Sequence, residues 1–126
     1  MSKVESNAVP TWDEMAELFM EREYDPADDT DCLCAYLDIP TGLKQSPEYV
    51  SVIAKFYDGG YFIVEVAAAS YERATRKDSS SIGDMFYTFI SNEAEHVSIG
   101  TASVMLTRAE EAAKLYVESL NRIKQV

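Results

Sequence analysis

Two runs rich in β-branched and aromatic residues, Tyr49 to Tyr57 and Tyr61 to Ala67, are separated only by Asp58-Gly59-Gly60. Such residues favour strands, and so short a connection forces the two runs into an antiparallel hairpin. The side chains also select the register. If Tyr57 pairs with Tyr61 across a three-residue loop, Phe56 faces Phe62, Ala54 faces Val64 and Val52 faces Val66, so one side is wholly apolar. A two-residue loop would set apolar positions against polar ones. The three-residue loop, with a glycine in the left-handed conformation, is therefore preferred.

The remaining elements are read from the same kind of periodicity. Thr11 followed by Glu14 fits a capping box and predicts a helix start. Trp12, Met15, Ala16, Phe19 and Met20 then recur at helical spacing as a buried stripe, with Asp13, Glu14, Glu17 and Glu21 facing water. Pro26 and the polar run Asp28 to Asp31 are expected to end that helix. Cys32 to Ile39 alternates as a first strand, and Pro40, Gly42 and Pro47 mark the loop before the hairpin. Ala67 to Lys77 carries good helix formers with basic residues at its C-terminal end, which predicts a short helix. After a Ser/Gly-containing connection, Met85 to Ile90 and Val97 to Leu106 read as a second antiparallel pair joined through Ser91 to Glu95. Thr107 with Glu110 repeats the capping-box signature, and Ala109, Ala112, Ala113, Tyr116, Val117, Leu120 and Ile123 trace the apolar stripe of a final helix. The i,i+4 pairs Glu110–Lys114 and Glu118–Arg122 would support it.

The expectation is an α+β fold, an antiparallel sheet of about five strands flanked by N- and C-terminal helices, in the order α-β-β-β-α-β-β-α. At 126 residues the chain reads as a single domain over 1–126, with 1–10 a flexible lead. No apolar run approaches the roughly 18 to 20 residues of a membrane span. Met1 to Val9 has no apolar segment of secretory-signal type, so the cytoplasm is the expected compartment.

Charge is distributed unevenly. Net charge is −11, and between Glu5 and Asp38 eleven acidic residues accompany a single base, Arg22, leaving about −1 for the rest. Such a balance disfavours contact with a phosphate backbone and can steer a basic partner, or it serves only as a solvated helix face and acidic loop. DNA mimicry fits less well, because the charge is confined to one third of the chain.

In element order, length and acidity the chain resembles the class I type III secretion chaperones, small acidic dimers that hold an unfolded segment of a partner. The resemblance spans the whole chain as a pattern, without a motif to quote, and carries over no functional residue.

Catalytic chemistry has little to build on. His96 is the sole histidine, and neither Ser91 nor Ser98 lies in a nucleophile context that Glu93 or Glu95 would complete. Cys32 and Cys34 share a strand face at Cys-x-Cys spacing, which suits small apolar packing better than zinc or redox chemistry. Asp25, Asp28, Asp29 and Asp31 lack the glycine and glutamate of a calcium loop. No glycine-rich loop cradles a phosphate, and no cofactor or metal is expected. Arg73, Arg76, Lys77 and Arg108 could hold a small anion, Arg108 by virtue of a place at the start of the last helix.

The eight tyrosines carry more weight. Tyr49, Tyr57 and Tyr61 fall on the hairpin face opposite the Val/Phe side, either as an outward aromatic row or as a layer that helices cover. An outward row would suit partner binding or dimerisation. The function expected from sequence is that of a non-enzymatic, acidic interaction protein, a homodimer that sequesters or inhibits a protein partner, basic partners being the ones its charge would steer. Viral or mobile-element inhibitors and secretion chaperones are of this type. Its contact residues would be Glu17, Glu21, Asp25, Asp28, Asp29, Asp31, Tyr49, Tyr57 and Tyr61. The alternative is a sponge that encloses an anionic metabolite or nucleotide between protomers through Arg73, Arg76 and Arg108.

Overall fold

The computed structural model describes residues 8–27, 31–44, 47–69 and 87–125. In chain order these form helix α1 (Trp12–Glu21), strands β1 (Asp25–Ala27), β2 (Leu33–Pro40), β3 (Tyr49–Phe56), β4 (Phe62–Ala69) and β5 (Tyr87–Ala94), and helix α2 (Ile99–Gln125). The strands make one antiparallel sheet in the order β1-β2-β3-β4-β5, every strand beside its neighbour in sequence. The expected α+β architecture is present, with an N-terminal and a C-terminal helix and a five-stranded antiparallel sheet.

The hairpin has the register read from its side chains: Phe56 faces Phe62, Ala54 faces Val64 and Val52 faces Val66. Tyr57 donates its N–H to the carbonyl of Tyr61 at 2.8 Å, and Gly60 donates to the carbonyl of Tyr57 at 3.1 Å. Gly59 and Gly60 both have positive φ, 91° and 97°, a region closed to most side chains. Leu33, Ala35, Leu37 and Ile39 of β2 fall in line with the Val/Phe face through the β2–β3 register. Met15 and Phe19 of α1, and Ala102, Leu106, Ala109 and Ala113 of α2, seal that face in a single core. Both helices therefore lie on the same side of the sheet.

Helix α1 begins with the anticipated capping box. Thr11 Oγ1 accepts the N–H of Glu14 at 3.1 Å, and the Glu14 carboxylate accepts the N–H of Thr11 at 2.8 Å. Its end differs from expectation. The helix stops at Glu21, and the N–H groups of Glu23 and Tyr24 bond back to the carbonyls of Met20 (3.0 Å) and Phe19 (2.9 Å). This is the Schellman closure, with Glu23 at φ 67° in the position usually held by glycine and Tyr24 stacked on Phe19. Pro26 is not a helix breaker here but the centre of β1, which pairs with β2. Met20, expected in the buried stripe, is 72% exposed, because it lies about 140° round the helix from Met15 at roughly 100° per residue.

The second half departs further from the sequence reading. Ala67 to Ala69, expected to open a helix, are the last residues of β4; the remainder of that expected helix lies outside the described residues. Strand β5 runs on through Ser91 to Ala94, which had the polarity of a loop. A register shift between Val66 and Ala67 leaves Phe89 as the extra residue of a bulge. Val97 to Leu106 is not a strand. Helix α2 begins at Ile99, where Ser98 acts as cap: its carbonyl accepts the N–H of Ala102 at 2.9 Å and its hydroxyl that of Thr101 at 3.2 Å. Buried Ala102, Leu106, Ala109 and Ala113 recur at i, i+4, i+7 and i+11, so the helical period wins over the apparent alternation of Val97, Ile99 and Met105. Among the described residues the order is α-β-β-β-β-β-α, which differs from the order that supports the chaperone resemblance.

Two backbone predictions follow from this geometry. A Cβ on Gly60 would lie 3.0 Å from the His96 Cα and from both methyls of Val9, whereas one on Gly59 would meet nothing within 4 Å. In urea titrations, Gly59→Ala should cost about 1–2 kcal/mol for the left-handed backbone alone, and Gly60→Ala clearly more. Equal losses would contradict the packing described. Conversely, Glu23→Gly relieves a left-handed non-glycine residue and should stabilise the protein by roughly 1 kcal/mol.

Candidate functional site

Three features of the chemistry-bearing residues can be placed. The first is the outer face of α1. Asp13, Glu17 and Glu21 are exposed at i, i+4 and i+8, which sets the three carboxylates along one stripe of the helix. Exposed Met20 lies within the same stripe, and exposed Glu23 and Asp25 extend the negative charge beyond the helix end. Asp31 is also exposed; Asp28 and Asp29 lie outside the described residues.

Arg22, the only base in this acidic stretch, turns away from it. Its Nη1 donates to both carboxylate oxygens of Glu110 at 2.9 and 3.0 Å, and its Nη2 to Thr107 Oγ1 at 2.8 Å and the Ser103 carbonyl at 3.2 Å. Tyr24 adds its hydroxyl to Glu110 at 2.8 Å. This cluster, half-buried between α1 and α2, explains the Thr107/Glu110 spacing that read as a capping box. Both residues lie well inside α2, on one face because they are three apart, and both receive Arg22. The Glu110 carboxylate expected to support Lys114 is held by Arg22 and Tyr24. The consequence for the surface is electrostatic: the local base neutralises a glutamate of the last helix rather than its own acidic neighbours.

The second feature is the sheet face away from the helices. It is not an open row of tyrosines. Cys34, Tyr36, Ser51, Ile53 and Ala67 at its centre are all buried to within 4% of complete exclusion. Tyr49 opens β3 and Tyr57 directly follows its last residue, so the two lie about 26 Å apart at 3.3 Å per residue. All three named tyrosines are half-buried. Tyr57 packs against the central cluster and lies 5.8 Å from the ring of Tyr61. Tyr61 donates its hydroxyl to Glu93, and that bond, with smaller contributions from desolvation and the charges of Glu93 and Glu95, raises the phenol above its ordinary range. Among the described residues Tyr36, which the sequence reading did not single out, is the tyrosine most excluded from water on this face. Its position opposite Ile53 in the β2–β3 register was the available signal. Cys32 and Cys34 share this cluster as buried thiols, as their spacing suggested.

The third feature concerns the residues of the ligand-sponge reading, of which Arg108 alone lies among the described residues. Arg73 and Arg76 lie outside the described residues. Arg108 is exposed and sits in the third turn of α2, so the N–H groups of the helix start at Ile99 are not beside it. His96 is exposed at φ 53° in the turn that links β5 to α2, with Val97 N–H bonded to the Gly60 carbonyl at 2.9 Å. Among the described residues no three His, Cys, Asp or Glu side chains converge as a metal site would require, and no helix is long and apolar enough to cross a membrane.

No protein-family model, no curated protein and no solved structure matches the chain.

The Tyr24–Glu110 bond carries a pH signature. Burial, then the hydrogen bond and charge of Glu110, push the Tyr24 phenol far above its ordinary value, against a smaller opposing pull from Arg22. An unfolded tyrosine loses its proton near pH 10, while folded Tyr24 retains it. The unfolded state then binds fewer protons, so this contribution is complete below about pH 10 and declines above it, at up to ~1.4 kcal/mol per pH unit. Tyr24→Phe should cost about 1–2 kcal/mol at neutral pH and flatten the decline. Urea unfolding at neutral and strongly alkaline pH measures both, and an unchanged alkaline slope in the variant would refute the assignment.

Proposed function

We propose that the protein works by binding rather than by catalysis, and that the outer stripe of α1 is where a basic protein partner docks. The observation that supports this reading is the stripe of exposed Asp13, Glu17 and Glu21 beside exposed Met20, with Arg22 withdrawn into its pair with Glu110. An apolar side chain flanked by a row of like charges is the layout of a small contact centre with an electrostatic margin: the thioether is desolvated on binding, and the carboxylates steer approach. Met is suited to such a position because its flexible, polarisable side chain fits varied surfaces. The partner chemistry this selects is a segment bearing Lys or Arg beside an apolar residue. Binding there would sequester that segment, and inhibit whatever the segment does, without any chemical step.

The test compares two variants with the wild-type chain. Partners captured from the native host by the wild type are identified, and their association rates are measured against the Asp13→Asn/Glu17→Gln/Glu21→Gln triple variant and against Met20→Ser. The triple variant should associate at least tenfold more slowly at low ionic strength and lose the salt dependence of the wild type. Met20→Ser should dissociate faster with the association rate kept. A partner whose rates are the same for all three proteins does not use this surface, and the reading fails.

A further inference from the structure

The two edges of the sheet are built differently. Edge strand β1 is three residues long and has Pro26, which has no N–H, at its centre, so it offers little for a further strand to pair with. Strand β5 is eight residues long, without proline, lysine or arginine, and among the described residues no strand lies beyond it. Ser91, Asn92 and Glu93 are all exposed.

Hydrogen bonding identifies which groups this edge presents. Tyr57 and Tyr61 form a hydrogen-bonded pair, and in an antiparallel ladder such pairs alternate with non-hydrogen-bonded ones. Ile63 and Glu65 therefore direct their backbone groups to β3, and Phe62, Val64 and Val66 direct theirs to β5. Their partners Ala94, Asn92 and Ile90 are thereby engaged with β4, and the N–H and C=O groups of Ser91 and Glu93 point outward.

We propose that this edge pairs with the same edge of a second copy of the chain, antiparallel about a two-fold axis through Asn92. That register sets Ser91 opposite Glu93 of the second copy and Glu93 opposite its Ser91, which satisfies the outward N–H and C=O groups reciprocally. On the helix-covered face it sets Ile90 opposite Ala94 of the second copy. Both are half-buried at the margin of the core, so pairing continues the apolar layer across the axis. Asn92 meets its own copy, and an amide can both donate to and accept from another amide. No carboxylate faces a carboxylate directly, a condition that matters for a chain of net charge −11. Moving the axis by one residue, to Glu93, would keep the outward groups in step but place two glutamates face to face.

The pairing is independent of the acidic stripe on α1 and is tested on the full chain. Light scattering over a dilution series should give a dimer mass for the wild type. Asn92→Lys puts two ammonium groups across the axis at a Cα separation of roughly 4.5 Å and should give a monomer with an unchanged circular dichroism spectrum. Asn92→Cys should form a disulfide-linked dimer that reductant reverses, whereas the wild type, with both its cysteines buried, should not. A wild type that is monomeric throughout, or a dimer that survives Asn92→Lys and is not cross-linked by Asn92→Cys, overturns the proposal. Partner association by a folded monomeric Asn92→Lys variant reports separately on the α1 surface.

Discussion

Phe56 and Phe62 meet across the rung of the β3–β4 hairpin next to its turn, and the rest of the fold is arranged so that this pair stays dry. Their rings lie 6.5 Å apart, Phe19 stacks on Phe62 at 6.3 Å, and Trp12 meets Phe56 edge-on at 6.0 Å. Burying each phenylalanine contributes about 1.5–3 kcal/mol, a sizeable share of the stability of a domain this small. The hairpin cannot bury them itself, because a two-stranded ribbon exposes both faces. That requirement recruits α1 over the turn end and α2 along the length of the sheet, both on one side.

Recruiting both helices to one side creates a polar problem where they meet. The end of α1 must turn sharply into β1, and it does so with a glutamate in a left-handed conformation and a tyrosine folded back on Phe19. Arg22 and Tyr24, flanking that glutamate, converge on Glu110 and tie the turn to α2. Partly buried ionic groups of this kind contribute modest stability but fix relative position, since any other placement strands a charge. The same tie removes the only base from the acidic stretch, so a packing device also sets the charge of the outer surface.

Much of this was legible in the amino acids. The hairpin register, the Thr11 cap, the burial of Met15 and Phe19 and the inner stripe of α2 from Ala109 onward all follow from local pattern. Misreadings cluster where one pattern served two periods or where a residue's partner was distant. Val97 to Leu106 alternates well enough to pass for a strand, and only packing against the core picks out Ala102 and Leu106. Ser91 to Glu93 looks like a loop because an edge strand exposed to water has no need of apolar residues there. The three residues of β1 carry no strand signal at all; their pairing with β2 is decided by where α1 ends. For the candidate surfaces, the exposure of Glu17, Glu21 and Met20 could be read from helical period, whereas the half-burial of the tyrosines could not.

The division has a physical basis. Sequence by itself determined whatever depends on neighbours along the chain: side-chain alternation in the hairpin, the capping hydroxyl at Thr11, the excess of carboxylates before Asp38. Tertiary structure decided whatever depends on groups far apart in the chain: that Thr107 and Glu110 receive Arg22 rather than cap a helix, that the centre of the second sheet face is closed around Tyr36 and Ile53, and that β5 stands at an edge. Local patterns are fixed by sterics and hydrogen bonds within a few residues, but burial and pairing at long range are settled only when the whole apolar face of the sheet has found its cover.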